Sequence, residues 1–181
     1  MNALRLALFM MAELVLRICV VPQLRASLVR LLGAQVGRNA RIYECQFINL
    51  RAGFRNLTVG DDVHIGPGCL IDLQGPVAIG NGTSISPRVC VISHADPGSA
   101  HDSWLCQHFP PRAEGVRIGA ECWIGTGSIL LSGASVADRA VIGAGSVVRG
   151  ACEGSAVHAG APARLVRRLS GELDGGRRQG P

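Results

Sequence analysis

The sequence contains no lysine: all 18 of its basic side chains are arginine. Aromatic residues are also scarce, 4% of the chain, with one Tyr and two Trp. Nucleic-acid surfaces combine basic patches with interleaved aromatics. No such segment and no recognisable nucleic-acid motif is present, so the net charge of +5 points to an anionic small molecule or a membrane surface. With so few aromatics, any core must be aliphatic. Metal-binding spacings are missing as well. The seven cysteines, at 19, 45, 69, 90, 106, 122 and 152, include no Cys-x-x-Cys pair and no Cys/His cluster with zinc spacing. Their odd number does not suggest a disulfide framework, and a reducing, cytoplasmic location is expected.

A long uninterrupted hydrophobic run is lacking too. Residues 3–21 are strongly apolar but carry Arg5, Glu13 and Arg17. At 100° per residue these three fall within roughly 120° of one another, which predicts a one-sided helix rather than a membrane span. No Ala-x-Ala cleavage signal follows, which argues against a signal peptide. Two readings stay open: a helix packed on the domain or on a neighbouring subunit, or a helix lying peripherally on the inner membrane face through residues 3–21.

What the chain has in quantity is glycine, 24 residues, set inside aliphatic stretches. The reason is a repeat. From Ile118 an aliphatic residue recurs every six positions: Ile118, Ile124, Leu130, Val136, Ile142, Val148. Four residues after each stands a small one: Cys122, Ser128, Ala134, Ala140, Ser146, Cys152. A strand gives period two and a helix 3.6, so a strict six is neither. The rule runs upstream through Val36, Val59, Ile65, Ile79 and Ile85, with a slip of two residues across Gln74, Gly75 and Pro76. The pattern describes a triangular coil, three six-residue units per turn, each unit one short strand and one corner. The aliphatic residue points into the prism, and the residue four later points in near a corner, where little room exists. Gly after the aliphatic residue, as at Gly60, Gly66, Gly80, Gly119, Gly125 and Gly143, is expected to relieve the turn. Cys69, Cys122 and Cys152 are then small buried hydrophobes.

The repeat fails in two places. Residues 1–33 read as a helical cap, with a second helix starting near Pro22 and presenting Leu24, Leu28, Leu31 and Leu32 on one face. Residues 92–115 form an excursion that holds Ser93, His94, His101, Trp104 and His108. The expected organisation is therefore a cap at 1–33, a parallel β-helix over 34–161 with the excursion loop 92–115, a short basic C-terminal helix at 162–169, and a disordered Gly-rich tail at 170–181. His94 stands at the break in the repeat, fixed by the coil on one side and open on the other, where a neutral imidazole suits general-base work. His64 and His158 read as surface residues of the coil.

The hexapeptide pattern resembles the left-handed β-helix transferase superfamily. More narrowly, LGAQVGRNARI (32–42), LTVGDDVHIGPGCLID (57–72), VAIGNGTSISPRVCVISHAD (77–96), VRIGAECWIGTGSILLSGASVADRAVIGAGSVVRG (116–150) and HAGAPARLVRR (158–168) resemble the galactoside, maltose, Nod-factor and colanic-acid O-acetyltransferases. The resemblance implies an all-β, left-handed parallel β-helix and an acetyl-CoA-dependent O-acetyltransferase acting on a sugar-type hydroxyl. It implies His94 as general base, acetyl-CoA as co-substrate, no metal, and a homotrimer with active sites between subunits. It also implies acceptor contacts from His64 and Asp72, to which Trp104 in the excursion is added as a stacking surface. Donor contacts are implied from Gly125, Thr126 and Ala144, and phosphate contacts from Arg149, Arg164 and Arg167. The Thr-Lys that often follows the IGAGS coil in the family is Arg149-Gly150 here, and the usual Asn of its Ala-Gly-Asn-Pro-Ala motif is Ala161. A carbonic-anhydrase relative would need a His-x-x-x-x-His late in the coil, where Thr126 and Leu131 stand. A serine acetyltransferase would need a larger helical domain than residues 1–33 supply. The alternative of another class is a non-catalytic β-helix scaffold or a membrane-associated assembly protein.

Overall fold

The computed structural model describes residues 3–98 and 102–169, with the backbone alone for 3–6. His101 and the expected tail lie outside the described residues. Helices α1 (Ala3–Ile18) and α2 (Pro22–Leu31) precede the coil. The first turn contains β1 (Gln35–Val36), β2 (Arg41–Ile42) and β3 (Cys45–Ile48), followed by a 3-10 segment at Leu50–Asn56. The second contains β4 (Leu57–Val59), β5 (His64–Ile65) and β6 (Cys69–Asp72), and the third β7 (Val77–Ile79), β8 (Ser84–Ile85) and β9 (Cys90–Val91). The excursion carries helix α3 (Trp104–His108). Then come β10 (Val116–Ile118), β11 (Trp123–Ile124) and β12 (Ile129–Leu130); β13 (Ser135–Val136), β14 (Val141–Ile142) and β15 (Val147–Val148); and finally β16 (Ala151–Cys152), β17 (Ala156–Gly160) and β18 (Ala163–Arg168).

These strands stack into three sheets, one per prism face, parallel throughout except for the last strand, β18. The first is β1-β4-β7-β10-β13-β16, the second β2-β5-β8-β11-β14-β17-β18, and the third β3-β6-β9-β12-β15. The molecule is a left-handed parallel β-helix. Pairing each strand only with the same face of the next coil satisfies its N–H and C=O groups without distant partners. The register brings like residues into columns, such as Ile42, Ile65, Ile85, Ile124 and Ile142. Every one of these is buried. The small inward sites are filled as the spacing predicts: Val63, Cys69, Thr83, Cys122, Ser128, Ala134, Ala140, Ser146 and Cys152 are all buried. Burial pushes the Cys69 thiol up to about 11, which makes it a packing atom and not a nucleophile.

Four expectations need correction. The glycines after the aliphatic residues do not supply a left-handed conformation. They are required by the approach of the next coil: a Cβ on Gly125 would lie 2.5 Å from the Ala144 amide nitrogen, and one on Gly80 2.5 Å from that of Ala120. Left-handed backbone falls two residues further on, at Gly68, Gly82, Gly127 and Gly145, and also at Asp62, Arg88, Glu121 and Arg139. The second correction concerns α2. It buries Arg25, Ala26 and Val29, whereas Leu24 and Leu31 are exposed and Leu28 and Leu32 half-buried. The Arg25 guanidinium reaches inward and donates to the carbonyls of Cys45 (3.0 Å) and Cys19 (3.5 Å), capping polar groups at the open end of the prism. Third, the expected C-terminal helix at 162–169 is strand β18, antiparallel to β17. A parallel sheet otherwise ends in an unpaired edge, and folding the chain back across β17 covers it; Arg168 is fixed there by Glu153, with two contacts of 2.9 Å. Fourth, His158 is buried in the Ile42–Ile142 column and its Nε2 contacts the Glu153 carbonyl at 3.1 Å.

Candidate active site

The site is assembled where the third sheet gives way to the excursion. Ile71 of β6 pairs with Val91 of β9, so Asp72, the last residue of β6, lies against Ser93 and His94 just beyond β9. Asp72 is fully buried, and its two oxygens divide the work. Oδ2 contacts His94 Nδ1 at 2.6 Å and accepts from the Ser93 amide (2.8 Å), the Ser93 hydroxyl (2.8 Å) and the His94 amide (3.1 Å). Oδ1 accepts from Asn49 Nδ2 (2.8 Å) and the Gln74 amide (3.1 Å). Burial pushes the carboxyl up, but the hydrogen bonds from His94, Asn49, Ser93 and Gln74 outweigh it and hold Asp72 below the ordinary carboxylate range. An ionised Asp72 favours the Nδ1–H tautomer of His94, which leaves the Nε2 lone pair for a ligand.

His94 is 26% exposed at its side chain and lines a cleft of about 480 Å³. The excursion builds the other wall. Ala95 and Arg112 form an antiparallel bridge through two backbone hydrogen bonds of 2.7 and 2.9 Å. The bridge carries Asp96 and Pro97 on one arm, and Phe109, Pro110 and Arg112 on the other, into the cleft. Ser93 locks the exit point: its hydroxyl accepts from the Gly75 amide and its carbonyl accepts from Ser132 and the Gly115 amide. Sequence reasoning missed Phe109 and Arg112, and the only signal for them was their place in the excursion.

The other expected site residues are distributed differently. Asp72 reaches no solvent, so it holds the imidazole and does not face an acceptor. Trp104 stacks on His108, ring centroids 4.2 Å apart, and is exposed outside the His94 cleft. His64, on the second sheet, packs on Tyr43 at 5.0 Å; burial and the Arg41 charge lower its pKa. Gly125, Thr126 and Ala144 do come together. With Ser86, Trp123 and Gly143 they line a groove of about 180 Å³ at the corner between the second and third sheets. Trp123 is exposed there and its indole N–H donates to Ser86 Oγ at 3.0 Å. Arg164 and Arg167 lie on β18, the edge of the sheet that contains this groove, and both are exposed. Arg149 follows β15 of the third sheet and is exposed apart from them. The His94 cleft lies at the opposite edge of the third face from the groove.

The coil sequence is that of a known group. Residues 115–150 match the bacterial transferase hexapeptide family, described by six repeats. An Escherichia coli K12 protein whose name, colanic acid biosynthesis acetyltransferase, is itself provisional is 32% identical over 145 residues, 79% of this chain and 74% of its own. The galactoside O-acetyltransferase of the same organism is 28% identical over 148 residues, 81% of this chain and 69% of its own. Among solved structures, a hexapeptide-repeat acetyltransferase of Vibrio cholerae superposes with a TM-score of 0.74 at 21% identity, over 93% of this chain and 94% of that one. Its complex with acetyl coenzyme A superposes at 0.65, with 22% identity over 90% and 85%. The chain belongs to the hexapeptide-repeat acetyltransferase family, and it is an acyltransferase.

Proposed function

We propose that the protein transfers an acetyl group from acetyl-CoA to a hydroxyl of a sugar-type acceptor, with His94 as general base. The observation that carries this reading is the 2.6 Å contact between His94 Nδ1 and the buried Asp72 carboxylate, at the head of an open cleft. In the mechanism, His94 Nε2 takes the proton of the acceptor hydroxyl as its oxygen attacks the thioester carbonyl. The tetrahedral intermediate then expels the CoA thiolate, which recovers the proton from the imidazolium. Asp72 holds the ring and stabilises its charged form through the cycle. Phe109 and Arg112 line the same cleft as His94, which supports a role for both in holding the acceptor. The named activity of the galactoside O-acetyltransferase supports the acceptor class, and the acetyl-CoA complex of the Vibrio cholerae protein supports the donor.

The donor is assigned to the groove at Gly125, Thr126 and Ala144, with its phosphates toward Arg164 and Arg167 on β18, where guanidinium groups suit phosphate. That groove and the His94 cleft occupy different corners of one prism. A homotrimer, with each active site completed by a neighbouring copy, brings the two together. The test is release of CoA thiol from acetyl-CoA with a panel of glycosides. His94→Ala should keep the fold and lose about 100- to 10,000-fold in turnover. Unimpaired turnover in that variant removes His94 from the chemistry.

A further inference from the structure

Helix α1 is attached to the coil the wrong way round for a helix that ends at its own protein. Its inward face is Phe9, Glu13 and Leu16. Phe9 packs edge-on to Phe54 (6.1 Å), which packs in turn on Phe47 (5.3 Å), and Leu16 is buried. Glu13, the only acid in either helix, is buried too: it accepts from Arg17 Nε at 2.9 Å and from the Phe47 amide at 3.4 Å. This clasp fixes the rotation of the helix. The outward side is then Leu8, Met10, Met11, Leu14, Val15 and Ile18, each more than half exposed. At 100° per residue they span an arc of roughly 160° with no polar residue inside it among the described side chains. The apolar surface continues through Val20, Val21 and Leu24.

We infer that this face docks the enzyme on an anionic phospholipid bilayer. The charge distribution selects the occupant. Arg17 borders the arc, Arg51 and Arg55 are exposed on the 3-10 segment that α1 packs against, and Arg30 is exposed on α2. Glu44, whose charge acts on Arg17, belongs to the coil, between β2 and β3, and not to either helix. A second copy set on the same face would bring like charges together, because the acid of the helices is turned inward. A bilayer takes the apolar arc into its acyl boundary and the arginines at its anionic headgroups. No described helix is long and apolar enough to cross a membrane, so the contact is a surface one.

The position has a consequence that rests on the proposed transferase reading. Met10, Glu13 and Arg17 form one wall of a cleft of about 360 Å³ whose other wall includes Asn49 and Arg51. Asn49 is hydrogen-bonded to the carboxylate that holds His94. A docked α1 therefore sets the general base close to the membrane surface, where a saccharide on a lipid anchor is presented.

The test is flotation of the full chain with vesicles of phosphatidylglycerol and phosphatidylcholine, against phosphatidylcholine alone. The wild type should float with the anionic vesicles and less so at high salt. The double variant Leu14→Glu, Ile18→Glu should lose about tenfold or more in partitioning. It should also keep its thermal midpoint and its turnover of a soluble glycoside. Flotation of neither protein, or of both equally, overturns the docking. A change of oligomeric state in the double variant, without vesicle binding by the wild type, assigns the face to a second copy instead and also overturns it. Vesicle binding by a protein that releases no CoA from acetyl-CoA with any glycoside leaves the docking standing and removes the proposed transfer to a sugar hydroxyl.

Discussion

Asn49 donates its side-chain N–H to Asp72 Oδ1 across 2.8 Å, from a left-handed backbone conformation (φ 57°, ψ 46°) at the end of the first turn of the coil. The bond joins neighbouring turns at the pair Ile48–Asp72 and leaves the second carboxylate oxygen to Ser93 and His94. Under the proposed mechanism, Asn49 is thereby a positioning residue for His94, acting through Asp72. Its replacement by Ala should lower kcat about tenfold with little change in KM, since a hydrogen bond to a charged group contributes about 1.5–3 kcal/mol. Asn49→Asp should be worse, because a second carboxylate would face Asp72. Steady-state kinetics of both variants check this, and an unchanged kcat in Asn49→Ala uncouples the first turn of the coil from catalysis.

The tight stacking at Gly125 predicts a different kind of defect. A Cβ there meets the backbone of the next coil at the Ala144 amide, not a movable side-chain tip. Gly125→Ala should cost about 1–3 kcal/mol by overpacking and lower the thermal midpoint. Thr126→Ala, on the same groove, should leave the midpoint near wild type and raise the KM for acetyl-CoA. Thermal unfolding and donor titration of the pair separate the role of the scaffold from that of the groove.

Much of this was legible in the sequence because the repeat is strict. Ile118, Ile124 and Leu130, six apart, supply the inward residue of three successive faces, and the residues of one face stack into a column from coil to coil, as Ile85, Ile124 and Ile142 do. His94 was legible because it stands where that period stops. Asp72 was harder to place. It is an outward position by the count of six, yet β6 runs one residue past the inward Ile71 and is then covered by the excursion, which turns an apparent surface acid into a buried one. No local pattern encodes that cover. The same holds for Phe109 and Arg112, which reach the cleft only through the backbone bridge to Ala95. Residues 163–168 misled for a simpler reason. A short basic apolar segment after a proline suits a helix, and the sheet edge at β17 that recruits it as a strand is a tertiary feature.

Arg164 and Arg167 provide the sharpest test of donor placement. Both are exposed on β18, whereas Arg168 is occupied by Glu153. Arg164→Ala and Arg167→Ala should each weaken acetyl-CoA more than its analogue lacking the 3′-phosphate, because a missing guanidinium costs affinity only where a phosphate is present to meet it. Arg168→Ala should affect both donors alike, through the edge strand. Competition binding with the two donors reads the difference, and equal losses for Arg164→Ala and Arg167→Ala would assign those side chains to solubility or packing.

The acid limb of stability should report Asp72 directly. Hydrogen bonds hold its carboxyl below the ordinary range in the folded chain, against the upward push of burial. A group depressed on folding binds its proton more weakly in the native state than in the unfolded one. Its contribution is fully present above the unfolded value, about 3.9 for Asp, and is lost as pH falls through the lower folded value. Asp61 and Glu153 are depressed too, by Arg38 and Arg168, and they add to the slope of any wild-type curve. The informative quantity is therefore the difference between wild type and Asp72→Asn. The variant cannot ionise, and its amide would set an N–H against donors at Ser93, His94 and Asn49. It should be less stable than wild type at neutral pH, with a gap that narrows as the pH is lowered below about 4. Urea midpoints measured for both proteins across that range test the point. A gap that stays constant with pH would mean that folding leaves the carboxyl's affinity for its proton unchanged, and one that widens as the pH falls would mean that Asp72 is protonated in the folded protein, so that His94 lacks the charged partner on which its proposed role as base depends.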